Sequence, residues 1–380
     1  MTAARKRHAE IAGAGIAGLT AGAALARRGW SVVVHERSTT LRAEGAGIYI
    51  WENGLRVLTA LGAYDDATRG SHHGVMRETR DDGNRVVAVA RWSAEPGRRV
   101  MSIARIQLLA ALAEAARRAG AEIRFGSEML CADPSGAAIL ADGQTVSADL
   151  VVGADGIESK IRSGLDLDCR RVPLADGAIR TMIKRTDEER RSPDGQNYVE
   201  YWSGTRRVLY TPCSGDAVYL ALTALDADAE AKAVPVRKDV WKRSFPHIAA
   251  LIDRIDGPAR WDRFENVSLR PWSKGRVAIL GDAAHAQAPN LGQGGGCALM
   301  NALALAVALD ERPTVGEALA LWETRERPLT DHTQRISALY SRVTTLPPLL
   351  RAAVLWLAGR SRWAMEQRLR TALHVPTGTC

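Results

Sequence analysis

Cysteine is scarce in this 380-residue chain. The five residues Cys131, Cys169, Cys213, Cys297 and Cys380 are odd in number, and none stands at metal-ligand spacing from another. That excludes a disulfide-stapled secreted scaffold and a zinc module, and it suits reduced thiols in the cytoplasm. Long apolar runs are missing too. The longest near the end, LPPLLRAAVLWLAG (Leu346 to Gly359), carries Arg351 and two prolines and is too short to span a bilayer, which leaves a packed or amphipathic terminal helix with membrane-surface contact as a minor option. The net charge is +8, yet there is no long basic run: arginines are scattered among acids, as in RTDEERR (Arg185 to Arg191). We read the charge as a general bias toward anionic cofactors and substrates, with nucleic acid as the lesser alternative. There is no internal repeat, no low-complexity linker, no paired-acid or Ser-His-Asp constellation and no HExxH.

Glycine, by contrast, is plentiful at 34 residues, and its placement is ordered. The stretch HAEIAGAGIAGLTAGAALARRGWSVVVHER, His8 to Arg37, reads as strand, tight turn, helix and second strand. Gly13, Gly15 and Gly18 form GxGxxG, and Glu36 closes the next apolar run at the distance where an acid grips a ribose. Gly13 permits the turn, Gly15 removes a side chain that would hold a pyrophosphate away, and Gly18 lets the helix approach the sheet. The helix start offers unpaired N–H groups and the positive end of its dipole to phosphates. Ala17, Ala21, Ala23 and Ala24 keep that helix slim. A glycine-rich turn without a ligand is the bland alternative. A secretory signal fits poorly: Arg5, Lys6 and Arg7 precede the run, but it is nearly free of leucine.

Two further motifs follow buried apolar runs. DLVVGADGIESKIR (Asp149 to Arg162) places Asp155 and Gly156 after a strand, and GRVAILGDAAHAQAPNLGQGGG (Gly275 to Gly296) places Gly281 and Asp282 after another, then Pro289 and a glycine-rich helix entry. Asp155 also reads as an ordinary turn residue. Between these motifs, NGLRVLTALGAYDDATRG (Asn53 to Gly70) and ARIQLLAALAEAARRAGAEIRFG (Ala104 to Gly126) have helical spacing, the second helix ending at Gly120. Turn signals at DPSG and ADGQ predict an antiparallel hairpin insertion, and from about Ile179 to Trp261 the texture turns β-rich. The fold class is α/β: a Rossmann-like domain with an inserted β-rich domain and C-terminal helices.

GxGxxG with Glu36, DG at Asp155 and Gly156, and GD at Gly281 and Asp282 resemble, in order, the three fingerprints of the class A flavoprotein aromatic hydroxylases, the para-hydroxybenzoate hydroxylase family. The resemblance implies an FAD-binding domain over 1–75, 100–178 and 265–335, a substrate domain over 76–99 and 179–264, and a helical segment over 336–380. It implies that Glu36 holds the adenosine ribose, that Asp282 binds the ribityl or pyrophosphate region, and that Arg105, Arg42 and the Glu36-Arg37 pair serve the cofactor. Asp155 joins that set, and Gly292, Gly294 and Gly295 bring backbone N–H groups to the pyrimidine end of the flavin, where reduced flavin is negative. It also implies NADH or NADPH and O2 as co-substrates, with a flavin hydroperoxide passing its distal oxygen to an electron-rich ring. No nucleic-acid partner and no stable membrane insertion are implied, and a homo-oligomer is allowed.

Within that family the stretch Leu41 to His72, RVLYTPC, GGGCALMNALAL and WETRERPLTD resemble the hydroxypyridine carboxylate oxygenases, the type acting on 2-methyl-3-hydroxypyridine-5-carboxylate. Strand alternation adds an independent reading. In VYLALTAL, Val218, Leu220 and Leu222 turn toward a core while Tyr219, Ala221 and Thr223 face a cavity; in RRVLYTPC, Arg207, Leu209 and Thr211 share a face. Arg207 then suits a substrate carboxylate, or is a surface strand charge. By the resemblance Arg207, Tyr219 and Tyr49 contact substrate, with Pro289 beside them, and Arg77 replaces a pocket tyrosine. His285 is structural, whereas His72 and His73 read as exposed at a domain crossing. The expected substrate is a hydroxypyridine carboxylate or related aromatic acid, hydroxylated and in one version ring-opened. The alternative is an oxidoreductase of the same fold acting on another aromatic or polyketide without ring cleavage. The WxWxIP motif of the flavin halogenases is absent.

Overall fold

The computed structural model describes residues 6–42, 47–92, 96–257 and 259–379; Arg5 and Cys380 lie outside them. The opening strand His8–Ala12 pairs in parallel with Ser31–Glu36 on one side and Leu150–Gly153 on the other. Outward from these lie Glu122–Phe125 and Val277–Ile279, both parallel, with the short Ser273–Lys274 antiparallel at the edge. The run DLVVG is apolar throughout because a parallel strand is covered on both faces.

The helix Ile16–Ala26 explains its own composition. Every one of its residues is buried, between the sheet and the helices Arg105–Arg118 and Gly294–Glu311. A Cβ on Gly22 would lie 3.0 Å from Val34 Cγ2. A helix packed on all sides has no face for large side chains, so small residues let three neighbours close on it.

The second sheet has seven strands, in the order Trp261–Arg270, Asp168–Lys184, Ala217–Leu225, Arg206–Pro212, Tyr198–Ser203, Met76–Arg80 and Val86–Arg91. All its pairings are antiparallel except Met76–Arg80 with Tyr198–Ser203. Helices Lys238–Ser244 and Ala249–Asp253 cover one face, where Trp241 and Ile252 pack with Ile179, Val208, Leu220 and Leu222, and with Phe245 just beyond the first helix. Smaller sheets follow the expected turns: Met129–Ala132, Ala137–Leu140 and Thr145–Ser147 form the antiparallel insertion.

Several sequence expectations change here. The joints drawn at 178/179 and 264/265 fall inside continuous strands, Asp168–Lys184 and Trp261–Arg270, both members of the seven-stranded sheet. The first half of Asp168–Lys184 is largely exposed and the second largely buried. The change of texture in the sequence therefore tracks burial along one strand. The span Asn53 to Gly70 holds two helices, Glu52–Ala60 and Tyr64–Thr68, parted at Gly62 where φ is +67°. His72 and His73 are half-buried in a strand that pairs with Val100–Ala104, and His72 Nε2 lies 2.8 Å from the Gln196 carbonyl. The chain ends in helices Val315–Thr344, Pro348–Arg360 and Arg362–Leu369. No described helix is long and apolar enough to cross a membrane.

Candidate active site

One cavity of about 300 Å³ lies between the parallel sheet and the uncovered face of the seven-stranded sheet. At its nucleotide end the three motifs converge, with Gly15, Ala154, Gly156, Gly281 and Asp282 in the wall. Gly13 has φ of +96°, and a Cβ there would stand 2.6 Å from the Ala154 carbonyl oxygen, so the turn is closed to any other residue. A Cβ on Gly15 would meet nothing within 4 Å, because the space beside it belongs to the cavity. A Cβ on Gly18 would fall 1.9 Å from the Gly13 oxygen, which seats the helix directly on the turn. Glu36 reaches back to this loop, accepting hydrogen bonds from Ala14 N at 3.0 Å and Ser38 N at 2.9 Å.

Asp282 faces the cavity, its side chain open to that space. Desolvation by the protein beside it raises its carboxyl above the usual range, although Arg105 and Arg180 pull the other way. Arg105, at the start of its helix, lines the same wall, and its Nε is buried with no hydrogen-bond partner among the described residues. The third glycine cluster follows: Gly292 has φ of +62°, Gly294 and Gly295 open an 18-residue helix, and all three line the cavity. Among the described residues no side chain caps that helix, so its first N–H groups point to an anionic ligand atom. An orphaned guanidinium nitrogen, an open space beside Gly15 and an uncapped helix start together fit a dinucleotide with an electron-rich ring.

Not every expected cofactor residue comes to this cavity. The Asp155 carboxylate is occupied locally, accepting from Ser159 Oγ at 2.5 Å and Lys160 N at 2.7 Å, where it holds the start of the helix Lys160–Gly164. The turn reading of Asp155 thus accounts for its side chain, while Ala154 and Gly156 beside it form cavity wall. Arg37 and Arg42 are exposed and outside the cavity lining. His285 is buried and neutral: burial lowers it to about 4, and its Nε2 accepts from Asn301 Nδ2 at 3.0 Å.

At the other end, Tyr219, Ala221 and Thr223 line the cavity while Val218, Leu220 and Leu222 pack into the core behind. Tyr219 is buried, which pushes its phenol up to about 12. Tyr49 is also in the wall; its hydroxyl pairs with Thr211 Oγ1 at 2.5 Å, and burial raises its phenol well above the ordinary value. Pro289 forms the adjoining turn.

Of the two readings placed on Arg207, burial removes one. It is no surface charge, being 5% exposed. It lines the cavity with its guanidinium already paired: Asp176 lies 3.0 Å and Glu200 3.3 Å away, with Trp202 stacked at 5.0 Å. Glu200 also approaches Arg77 at 3.8 Å and accepts from Tyr340 Oη at 3.1 Å. Burial raises the Glu200 carboxyl, but Arg77 and Arg207 outweigh it and hold it below the usual range; Asp176, more dependent on Arg207 alone, stays above. Arg77, expected in place of a tyrosine, is 14% exposed and lines the cavity.

Sequence reasoning missed Glu200, Asp176, Arg180 and Arg368. Glu200 carried a signal, a lone acid inside the apolar strand YVEYW. Arg368 carried none. It comes from the last helix into the cavity wall, and among the described residues its guanidinium has no hydrogen bond or ion pair. Burial, with Arg77 nearby, lowers it to about 10.

An α/β fold with this cavity defines a flavin-dependent oxidoreductase, and comparison with known proteins agrees. The FAD binding domain model matches residues 7–321, and the chain belongs to that family. A 2-heptyl-3-hydroxy-4(1H)-quinolone synthase of Mycobacteroides abscessus is 38% identical over 95% of this chain and 97% of its own. A Rhodococcus erythropolis protein whose name provisionally carries the same activity is 44% identical over 98% of this chain and 97% of its own. The tetrameric form of 2-methyl-3-hydroxypyridine-5-carboxylic acid oxygenase superposes with a TM-score of 0.84 at 39% identity, covering 98% and 99% of the two chains. The protein is an FAD-dependent monooxygenase of the aromatic hydroxylase family. The two sequence relatives carry quinolone synthase names and the structural neighbour a hydroxypyridine carboxylate one, so the comparisons reach the family and not the ring.

Proposed function

We propose that this monooxygenase hydroxylates a neutral, electron-rich N-heteroaromatic ring of the quinolone kind, using NAD(P)H and O2, without ring cleavage. Bound FAD supplies the oxygen-activating chemistry. Glu36, Arg105, Asp282 and the helix start at Gly294 would hold it, and Tyr49, Tyr219 and Pro289 would bound the space for the ring.

The observation that carries the choice of ring is the charge at Arg207. Two buried carboxylates already answer it, so a substrate carboxylate placed there would stand beside Asp176 and Glu200. Like charges at that range in a partly dry cavity repel strongly. Arg368, with no bound carboxylate, offers donors to a carbonyl or hydroxyl oxygen of a neutral ring. The two relatives that carry the quinolone name support the same class. The oligomeric relative supports a tetramer as the assembly to expect.

A panel of 4-quinolones, hydroxypyridine carboxylates and hydroxybenzoates, scored by stimulation of NAD(P)H oxidation and by product mass, tests this reading. Stimulation by the quinolones above the carboxylated rings is expected. Preference for a carboxylated pyridine would return Arg207 to the role of anchor.

A further inference from the structure

A second cavity, of about 220 Å³, adjoins the first and shares Arg77, Leu291 and Arg368 with its wall. Its character is different. It lies between the strand Val86–Arg91 and the last three helices, and Ala88, Val343, Val354 and Leu355 make its walls almost wholly apolar. Leu339 and Trp363 stand at its border, 56% and 69% exposed. Large apolar side chains left open to water at the edge of an apolar hollow mark a surface meant to be covered. The shared wall is polar on one side only: Arg77 and Arg368 bring cationic donors to the boundary, and beyond them the lining turns aliphatic.

Resting on the ring hydroxylation argued above, we propose that the substrate is an amphiphile, its ring in the cofactor cavity and a saturated aliphatic tail in this second cavity. Arg368 and Arg77 hold the polar part at the joint, and Leu291 flanks the passage. A tail there replaces water against Val354, Leu355 and Val343, and each methylene removed from water adds to affinity. The arrangement selects chain length independently of ring chemistry, since the two contacts lie in different cavities.

The test uses the FAD-loaded enzyme and 2-alkyl-4-quinolones with methyl, propyl, pentyl and heptyl chains, with dissociation constants from equilibrium dialysis. Affinity is expected to rise roughly fourfold per methylene. Ala88→Trp and Ala364→Trp, made separately, fill the cavity from the strand and from the last helix. Both are expected to flatten the chain-length dependence while binding the methyl compound as wild type does. A flat dependence in wild type, or a slope untouched by both variants, overturns the proposal. So does a change of oligomeric state in both variants by sedimentation, which would make this face an interface between copies. If the slope appears and is flattened but no quinolone is hydroxylated, the tail site stands and the ring reading fails. Hydroxylation indifferent to chain length gives the reverse.

Discussion

At the scale of single residues, Arg207 shows how much depends on what surrounds a charge. A guanidinium on the cavity face of a strand invites an anionic ligand. Here Asp176, from the neighbouring region of the sheet, and Glu200, seven residues earlier, have taken that place. Removing the cation strands two buried carboxylates, so Arg207→Met is expected to cost about 3 kcal/mol or more of folding stability. Arg207→Met combined with Asp176→Asn should recover part of the loss, because one uncompensated charge is gone. Urea unfolding of the FAD-free proteins reads this without a contribution from bound cofactor. A single variant as stable as wild type that loses only ligand affinity would contradict the pairing. The sequence could not reveal it: Asp176 and Arg207 are 31 positions apart and meet only through the strand register around Ala217–Leu225.

At the scale of elements, the glycine turn and the slim helix were legible because their constraints are local. The φ of Gly13 and the packing of Gly18 on the Gly13 oxygen are fixed within six residues. Strand alternation was legible for the same reason: Val218, Leu220 and Leu222 went to the core and Tyr219 and Thr223 to the cavity as the two-residue period requires. Two glycines of this one motif should separate experimentally. Gly18→Ala drives a methyl into the turn and is expected to destabilise the fold by about 2 kcal/mol or more. Gly15→Val projects into open cavity, so it should leave folding stability within about 1 kcal/mol of wild type and weaken FAD binding on the order of tenfold or more. Urea midpoints of the FAD-free proteins and the flavin retained after gel filtration distinguish the two. Equal effects of both substitutions on folding would place Gly15 in a packing role. Asp155 was harder, since an acid after a strand can serve a ligand or a helix start, and only the positions of Ser159 and Lys160 decide.

At the scale of the whole molecule, the cofactor end was readable and the substrate end largely was not. The proposed cofactor end is shaped by backbone geometry, which needs glycine and leaves a pattern in the chain. The cavity proposed for the substrate is assembled from Arg77, Glu200, Arg207, Leu291 and Arg368, five segments brought together by one sheet, a turn and a terminal helix. No local spacing links them. The account as a whole holds that this assembly takes one oxygen atom from O2 and places it on an aromatic ring. The most direct measurement is turnover of a 2-alkyl-4-quinolone under ¹⁸O2 with NAD(P)H, followed by mass analysis of the product. The account predicts a hydroxylated ring carrying one ¹⁸O atom for each NAD(P)H oxidised. Label absent from the product, or NAD(P)H consumed with only hydrogen peroxide formed across every ring tested, would contradict it.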